Sequence, residues 1–348
     1  MSSAFIDLLT KVQSGADLSQ NEMTTALTEV MSGKCGDEQI EALLTALADK
    51  GETVEEIAGA ALAMRAHMQP IHSKRHPLLD TCGTGGGGSR TFNISTSAAL
   101  VLAAAGVPVA KHGNRSVTSR SGSADVLAAL GVNIEANVAQ VEQCLDKLGI
   151  CFCFAPLMHP AMKHVAAVRR RMKRRTIFNV LGPLANPASA ECQLLGAGLP
   201  ALRPILAQTL ARLGIGRALV VSGADGLGEV TLSGPTHVSI VEEGDVTERT
   251  FTPEEFGIPS GPLDEIYVEG PEQSAERVQE ALSGRDVAAR RIVVLNAAAG
   301  LMAYDRDATP ASAAVRVAEA IDSGAARDLL ARLAALSHEP APTQPQAE

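Results

Sequence analysis

The sequence predicts an α/β protein in two parts: a small helical N-terminal domain over residues 1–70 and a larger, doubly wound, mainly parallel α/β domain over residues 76–336. Three observations lead there. The first 68 residues carry apolar positions at helical spacing and no strand pattern. From residue 78 onward, short apolar runs alternate with helical stretches, which implies parallel strands with helices on both faces. The 348 residues, 46% of them hydrophobic, exceed one minimal domain and can build a large core.

Residues 1–68 read as four helices. Ser19 with Glu22, and Thr53 with Glu56, have capping-box spacing. Behind them Met23, Leu27, Val30 and Met31, then Ile57, Ala60, Ala61 and Met64, recur with the helical period. "MQPIHSKRHP", around 68–77, is a polar, proline-containing linker. "LLDTC" follows as a strand, then a glycine loop, then a helix over 95–105. "VPVAKH" is a second strand and "SADVLAALG" a second helix. "CFCFA" is a third strand, and "RALVVSG" (217–223), after a helix over 200–213, is a fourth. Residues 229–251 read as hairpin strands turning at Gly234-Pro235 and Gly244-Asp245. Residues 274–336 return to helix, and 339–348 form a disordered tail by composition.

Composition narrows the function. A net charge of −9 opposes general adhesion to nucleic acid or to an anionic membrane. Seven Phe, two Tyr and no Trp leave little aromatic surface for stacking bases. The N-terminus does not read as a secretion signal, and no apolar stretch near 20 residues has spanning character, so a cytoplasmic protein without a membrane partner is expected. The six cysteines (35, 82, 144, 151, 153 and 192) form no C-x-x-C pair and no zinc spacing, so reduced, buried thiols are expected.

The chemistry concentrates in two loops. "GTGGGGSRTFNIST" (83–96) joins the first strand to a helix. Glycines let backbone amides approach a ligand closely, and a helix N-terminus adds unpaired N–H groups and partial positive charge. Together they cradle an anion, usually phosphate. Thr91, Asn93, Ser95 and Thr96 add polar side chains, and either Asn93 or Ser95 caps the helix. The run fits neither the Walker pattern nor a dinucleotide fingerprint. The second loop, "KHGNRSVTSRSGSADVLAALG" (111–131), carries Lys111, His112, Arg115 and Arg120 among hydroxyl side chains. Two such loops after successive strands suit one ligand with phosphate at both ends.

These stretches, with "FAPLMHPAMKHVAAVRR" (154–170) and "RTIFNVLGPLANPA" (175–188), resemble the anthranilate phosphoribosyltransferases, which catalyse an early step of tryptophan synthesis. The likeness runs over about 1–335 in order and spacing. It implies a homodimer of the phosphoribosyltransferase and nucleoside phosphorylase fold, phosphoribosyl pyrophosphate (PRPP) and anthranilate as substrates, and up to two Mg²⁺ ions. It also adds the segment 170–190 to the helical domain. Residue by residue it assigns Gly83, Gly86, Gly87, Thr91, Asn93, Ile94, Ser95 and Thr96 to PRPP. It assigns Lys111, His112, Gly113, Asn114, Arg115, Ser116, Val117, Thr118, Ser119 and Ser123 to the same ligand. Gly83, Asn114 and Arg169 would meet anthranilate, Arg169 facing its carboxylate; Ser95 and Glu229 would meet the metal.

Two positions depart from the family pattern. Gly87 stands where "GTGGD" has its acid, and Gly228 of "DGLGE" (225–229) stands where an Asp is expected. Hard Mg²⁺ prefers carboxylate and phosphate oxygens, so weaker Mg²⁺ binding is expected, or a rearranged second site using Asp225. The implied reaction needs no acid–base residue. The aromatic amine is already neutral, the leaving pyrophosphate is highly charged, and catalysis is electrostatic and positional.

Several features have a plainer reading. "RRRMKRR" (169–175) reads first as a solvated helix face, with nucleic-acid contact or steering of anionic substrates as sharper alternatives. His112 either adds charge at the pyrophosphate or makes a structural hydrogen bond as a neutral ring. His159 and His164 do not share a helical face well enough for a metal pair; the resemblance places His159 at the edge of the anthranilate channel. Asp264 and Glu265 read as a solvated loop. A non-catalytic relative that binds nucleic acid is the rival function, with a pyrimidine nucleoside phosphorylase behind it. The intact "KHGNR" and "NIST" motifs favour the transferase.

Overall fold

The structure is a computed structural model, and it describes residues 2–85, 90–116, 120–285 and 287–340. Its first part is α1 (Ser3–Gln13), α2 (Gln20–Met31), α3 (Asp37–Lys50) and α4 (Val54–Ala66). Both expected capping boxes form, at Ser19 with Glu22 and at Thr53 with Glu56. Glu56 does more than cap. Its side chain is fully buried and accepts from the backbone N–H of Leu18 and of Thr53 at 2.9 Å each, while Lys50 Nζ lies 2.8 Å away. Those partners offset the cost of burying a carboxylate between the helices.

The second part is built on one sheet of β1 (Leu79–Gly83), β2 (Val109–Gly113), β3 (Ile150–Phe154), β4 (Cys192–Gly196), β5 (Arg217–Gly223), β6 (Thr236–Glu242) and β7 (Asp245–Phe251). The spatial order is β3-β2-β1-β4-β5-β6-β7. The first five strands of that order run parallel, and β6 and β7 add an antiparallel edge. Between the strands run α5 (Ile94–Ala104), α6 (Ser123–Ala129), α7 (Val138–Leu148), α8 (Ala155–Met158), α9 (Lys163–Met172), α10 (Phe178–Leu181) and α11 (Leu202–Arg212). The chain closes with α12 (Pro271–Ala281), α13 (Ala288–Tyr304), α14 (Pro310–Asp322) and α15 (Ala325–Leu336).

Three sequence readings need correction. The strand at 217–223 is the fifth, because β4 lies between β1 and β5 at the centre of the sheet. Its five residues, CQLLG, are buried throughout, so it shows no alternation. The hairpin is only β6 and β7, turning at Glu243-Gly244; residues 229–233 are not a strand. Helix α7 was not anticipated, although its Asn137 cap accepts from Gln140 N as a capping box should.

The two faces of the sheet feed different cores. Leu194, Leu219 and Val221 join α5 and α13 in one core, while Leu195, Ala218 and Val220 join α11 and the N-terminal helices in the other. The two-residue period of a strand divides them. Val165, Val168, Ile177, Phe178, Val180 and Leu181, from the 163–181 stretch, belong to the second core with α2, α3 and α4.

Candidate active site

The carboxyl ends of β1, β2, β4 and β5 all finish on glycine: Gly83, Gly113, Gly196 and Gly223. The reason is closeness. A Cβ on Gly113 would lie 2.2 Å from Ser123 Oγ, and one on Gly196 would lie 1.9 Å from the carbonyl oxygen of Gly228. The loops therefore fold back tightly over this edge of the sheet, where open α/β folds bind ligands. At β1, Thr84 N donates to Gly196 O at 2.9 Å and Gly198 N donates to Thr84 Oγ1 at 3.0 Å, which anchors the start of the glycine loop on β4.

Asn93, not Ser95, caps α5: its Oδ1 accepts from Thr96 N at 3.1 Å. Ser95 is freed for other work. Lys111, buried on β2, crosses to β1 and α5, where its Nζ donates to Thr81 O and, at 3.2 Å, to Ser95 Oγ. Burial pulls the Lys111 pKa down, and Asp80, Cys82 and Glu229 push it back up. Asp80 is fully buried; its Oδ1 accepts from His112 N at 3.0 Å, and burial raises its pKa against the pull of Lys111. A cation from β2 thus stands preformed and buried beside the first loop, among groups that need it.

The second loop is braced by a residue the sequence reading did not single out. Asp125 on α6 takes Arg115 Nη1 at 3.0 Å, Ser116 N at 2.9 Å and Gly122 N at 3.2 Å. Its place three residues after Gly122, at the start of a helix, was the available signal. Asn114 is exposed, and its carbonyl accepts from Ala124 N at 3.2 Å and Ser123 Oγ at 3.3 Å. Thr91 bridges Tyr267 in the backbone sense, and Ile94 is buried at the first turn of α5. Gly86, Gly87, Val117, Thr118, Ser119 and residues 341–348 of the tail lie outside the described residues.

The acidic side divides. Asp225 is occupied: its Oδ2 accepts from Thr231 Oγ1 and Ser233 Oγ at 2.5 Å each, and its Oδ1 from Leu227 N at 3.0 Å. It braces its own loop, which argues against the expected use of Asp225 as a replacement metal ligand. Gly228 is hemmed in, with the position of a Cβ 3.0 Å from both Gly198 Cα and Gly198 N. Half-buried Glu229 has no hydrogen-bond or ion-pair partner among the described residues. Burial pushes its pKa up to about 7, against the pull of Lys111.

His112 resolves toward the structural alternative. Its Nδ1 faces Gly182 O at 2.9 Å and its Nε2 faces His159 Nε2 at 3.2 Å. A carbonyl can only accept, so His112 carries its proton on Nδ1 and accepts at Nε2 from His159. Burial lowers both pKa values, to about 3 for His112 and about 4 for His159, so both rings are neutral and neither brings charge to a phosphate. His164 lies elsewhere, against Gly33.

Arg169 is half-buried on α9, with its guanidinium 5.4 Å from the Phe178 ring centroid. Among the described residues it has no hydrogen-bond or ion-pair partner, and burial lowers its pKa. The basic run around it is not merely solvated. Arg171 pairs with Asp37 at 3.2 Å and Glu41 at 2.6 Å, and Arg174 pairs with Asp49 at 2.8 Å, all on α3. Those two arginines tie α9 and the residues after it to α3 through solvent-exposed ion pairs.

Known proteins share this chain's sequence and fold. Residues 6–68 match the glycosyl transferase family, helical bundle domain, and residues 75–327 match the glycosyl transferase family, a/b domain. The chain is 47% identical over 331 residues to an anthranilate phosphoribosyltransferase of Symbiobacterium thermophilum, covering 95% of this chain and 97% of that one. Among solved structures, the anthranilate phosphoribosyltransferase of Thermus thermophilus superposes with a TM-score of 0.89 at 40% identity, covering 96% of this chain and 100% of that one. The Saccharomyces cerevisiae enzyme in complex with PRPP and Mg superposes at 0.88 with 28% identity, covering 97% and 98%.

Proposed function

The chain belongs to the anthranilate phosphoribosyltransferase family, and from that premise we propose how its own residues perform the reaction. The protein transfers the phosphoribosyl group of PRPP to the amine of anthranilate, releasing pyrophosphate and giving N-(5-phosphoribosyl)anthranilate. One observation carries the residue assignment: Lys111 reaches Ser95 Oγ at the N-terminus of α5 and lies close enough to act on the charge of Glu229, which has no hydrogen-bond partner among the described residues. Loss of anthranilate fluorescence on mixing protein, PRPP, Mg²⁺ and anthranilate tests it; no loss would reject the activity.

The glycine loop and the amides opening α5 hold pyrophosphate, with Ser95 and Thr96 at the helix start. Lys111 supplies a fixed positive charge beside it, which gains strength from being dry. Asn114 and the loop braced by Asp125 take the rest of PRPP. Arg169 takes the anthranilate carboxylate and so aims the amine at C1 of the ribose. As positive charge grows on the sugar, these groups need not move, which is where the rate comes from. Residues 1–70 with 170–190 act as the helical domain, the chain works as a cytoplasmic homodimer, and neither membrane nor nucleic acid is a partner. The family likeness supports that reading, and no helix among the described residues is long and apolar enough to cross a membrane.

Mg²⁺ fits the residues present. Glu229 is a carboxylate without a hydrogen-bond partner among the described residues, and Ser95 Oγ adds a second hard oxygen. When bound, Mg²⁺ neutralises the departing pyrophosphate. With Gly228 in place of an acid and Asp225 engaged, Glu229 is the one carboxylate of its loop left for metal. The protein's own hold on the metal is therefore weak. Because Glu229 ionises only near pH 7, the Mg²⁺ concentration for half-saturation rises about tenfold per pH unit below that value and levels off above it. A Mg²⁺ titration at several pH values checks this, and Glu229→Gln should flatten the protein's share of the slope.

Gly196→Ala drives a Cβ into the Gly228 carbonyl. Overpacking against backbone costs about 1–3 kcal/mol, and carried by the 228–230 segment that is about 5- to 150-fold in Mg²⁺-dependent PRPP affinity. Calorimetry on a variant with unchanged circular dichroism reads it; unaltered affinity would show that the two segments slide freely.

A further inference from the structure

Asn296 is fully buried in the middle of α13, in the apolar run "VVLNAAAG". A buried amide there must be satisfied, and it is. Its Oδ1 accepts from Val230 N at 2.9 Å, and its Nδ2 donates to Val230 O and to Ile292 O at 2.9 Å each. It therefore grips both backbone polar groups of one residue, as a neighbouring strand would, in a stretch that has no strand partner. That residue follows Glu229. On the other side of Glu229, the carbonyl of Gly228 is pressed against Gly196. The backbone that carries the carboxylate is hydrogen-bonded by Asn296 on one side and hemmed in by Gly196 on the other.

We propose that Asn296 is a positioning residue: by holding Val230 it sets where the Glu229 carboxylate stands toward a divalent cation bound with PRPP. The inference rests on the reading of Glu229 as the metal-holding acid. Left unpinned, residues 229–233 have no regular backbone ladder to hold them, and a carboxylate misplaced by about an ångström loses most of its value to a metal. A surrounding of fixed dipoles avoids that loss without touching substrate.

The test is calorimetric. PRPP is titrated into the protein with and without Mn²⁺, and the ratio of the two affinities is the metal-dependent increment. Asn296→Ser should cut that increment about 5- to 20-fold while leaving metal-free PRPP binding and the anthranilate KM within about twofold. A merely structural role would weaken both titrations alike, and that result would overturn the proposal. Val294→Ala, which thins the packing of the same helix, should lower the melting temperature and leave the increment intact. Glu229→Gln should remove the increment, and Asn296→Ser added to it should then do nothing more. If Glu229→Gln keeps the full increment, the metal reading of Glu229 fails and takes the proposal with it. If Glu229→Gln removes it while Asn296→Ser does not, the positioning role alone fails. Should Asn296→Ser not fold, Asn296→Asp keeps an acceptor for Val230 N–H, and an increment reduced by a smaller factor is expected; an unchanged increment overturns the proposal.

Discussion

Lys111→Met is expected to lower stability by about 3–5 kcal/mol near neutral pH and to weaken PRPP binding by about 10²-fold or more. Methionine keeps the length and the apolar stem, so the loss comes from the charge. Lys111 donates to Thr81 O and Ser95 Oγ, and it is the cation that opposes the fully buried Asp80 and the half-buried Glu229. Without it, two carboxyls already held above their ordinary pKa values are pushed higher still. The sign follows. A carboxyl whose folded pKa exceeds its unfolded value loses stability as pH rises between the two, so the deficit of the variant should be small in acid and grow toward neutrality. Urea unfolding at several pH values measures that, and calorimetry with PRPP measures the second effect. A variant within about 1 kcal/mol of the parent at pH 8, with intact PRPP affinity, would remove Lys111 from the centre of the site.

Arg169→Ala should raise the anthranilate KM by about 10²-fold and leave the PRPP KM within about twofold. A charged, two-pronged contact to a carboxylate is worth about 2–5 kcal/mol when one partner is cut away, and each 1.4 kcal/mol is a factor of ten. Burial disfavours the Arg169 charge, no hydrogen-bond or ion-pair partner among the described residues satisfies it, and the Phe178 ring lies 5.4 Å from it. In the proposed reading an incoming carboxylate supplies that partner. Arg169→Lys should recover little, because an ammonium cannot offer the paired donors. Equal rises in both KM values would mean that α9 as a whole had shifted and that Arg169 reads no carboxylate.

The sequence by itself determined what depends on neighbours three or four residues away. The capping boxes at Ser19 and Thr53 formed where their spacing placed them, the strand–helix alternation became a parallel sheet, and the glycine loop ended in a capped helix start. Tertiary structure decided everything that hangs on distant partners. Arg171 reads as a bare surface cation until Glu41, 130 residues away, is beside it. Asp225 reads as a spare metal ligand until its loop turns Thr231 and Ser233 onto it. Asn296 stands alone in an apolar helix until Val230, 66 residues away, lies against it. Buried β4, with no alternation to announce it, took its place only when β1 and β5 closed on either side. A residue type states what a side chain can bond, but the competition for that bond is settled among groups that only the folded chain brings within 3 Å or so.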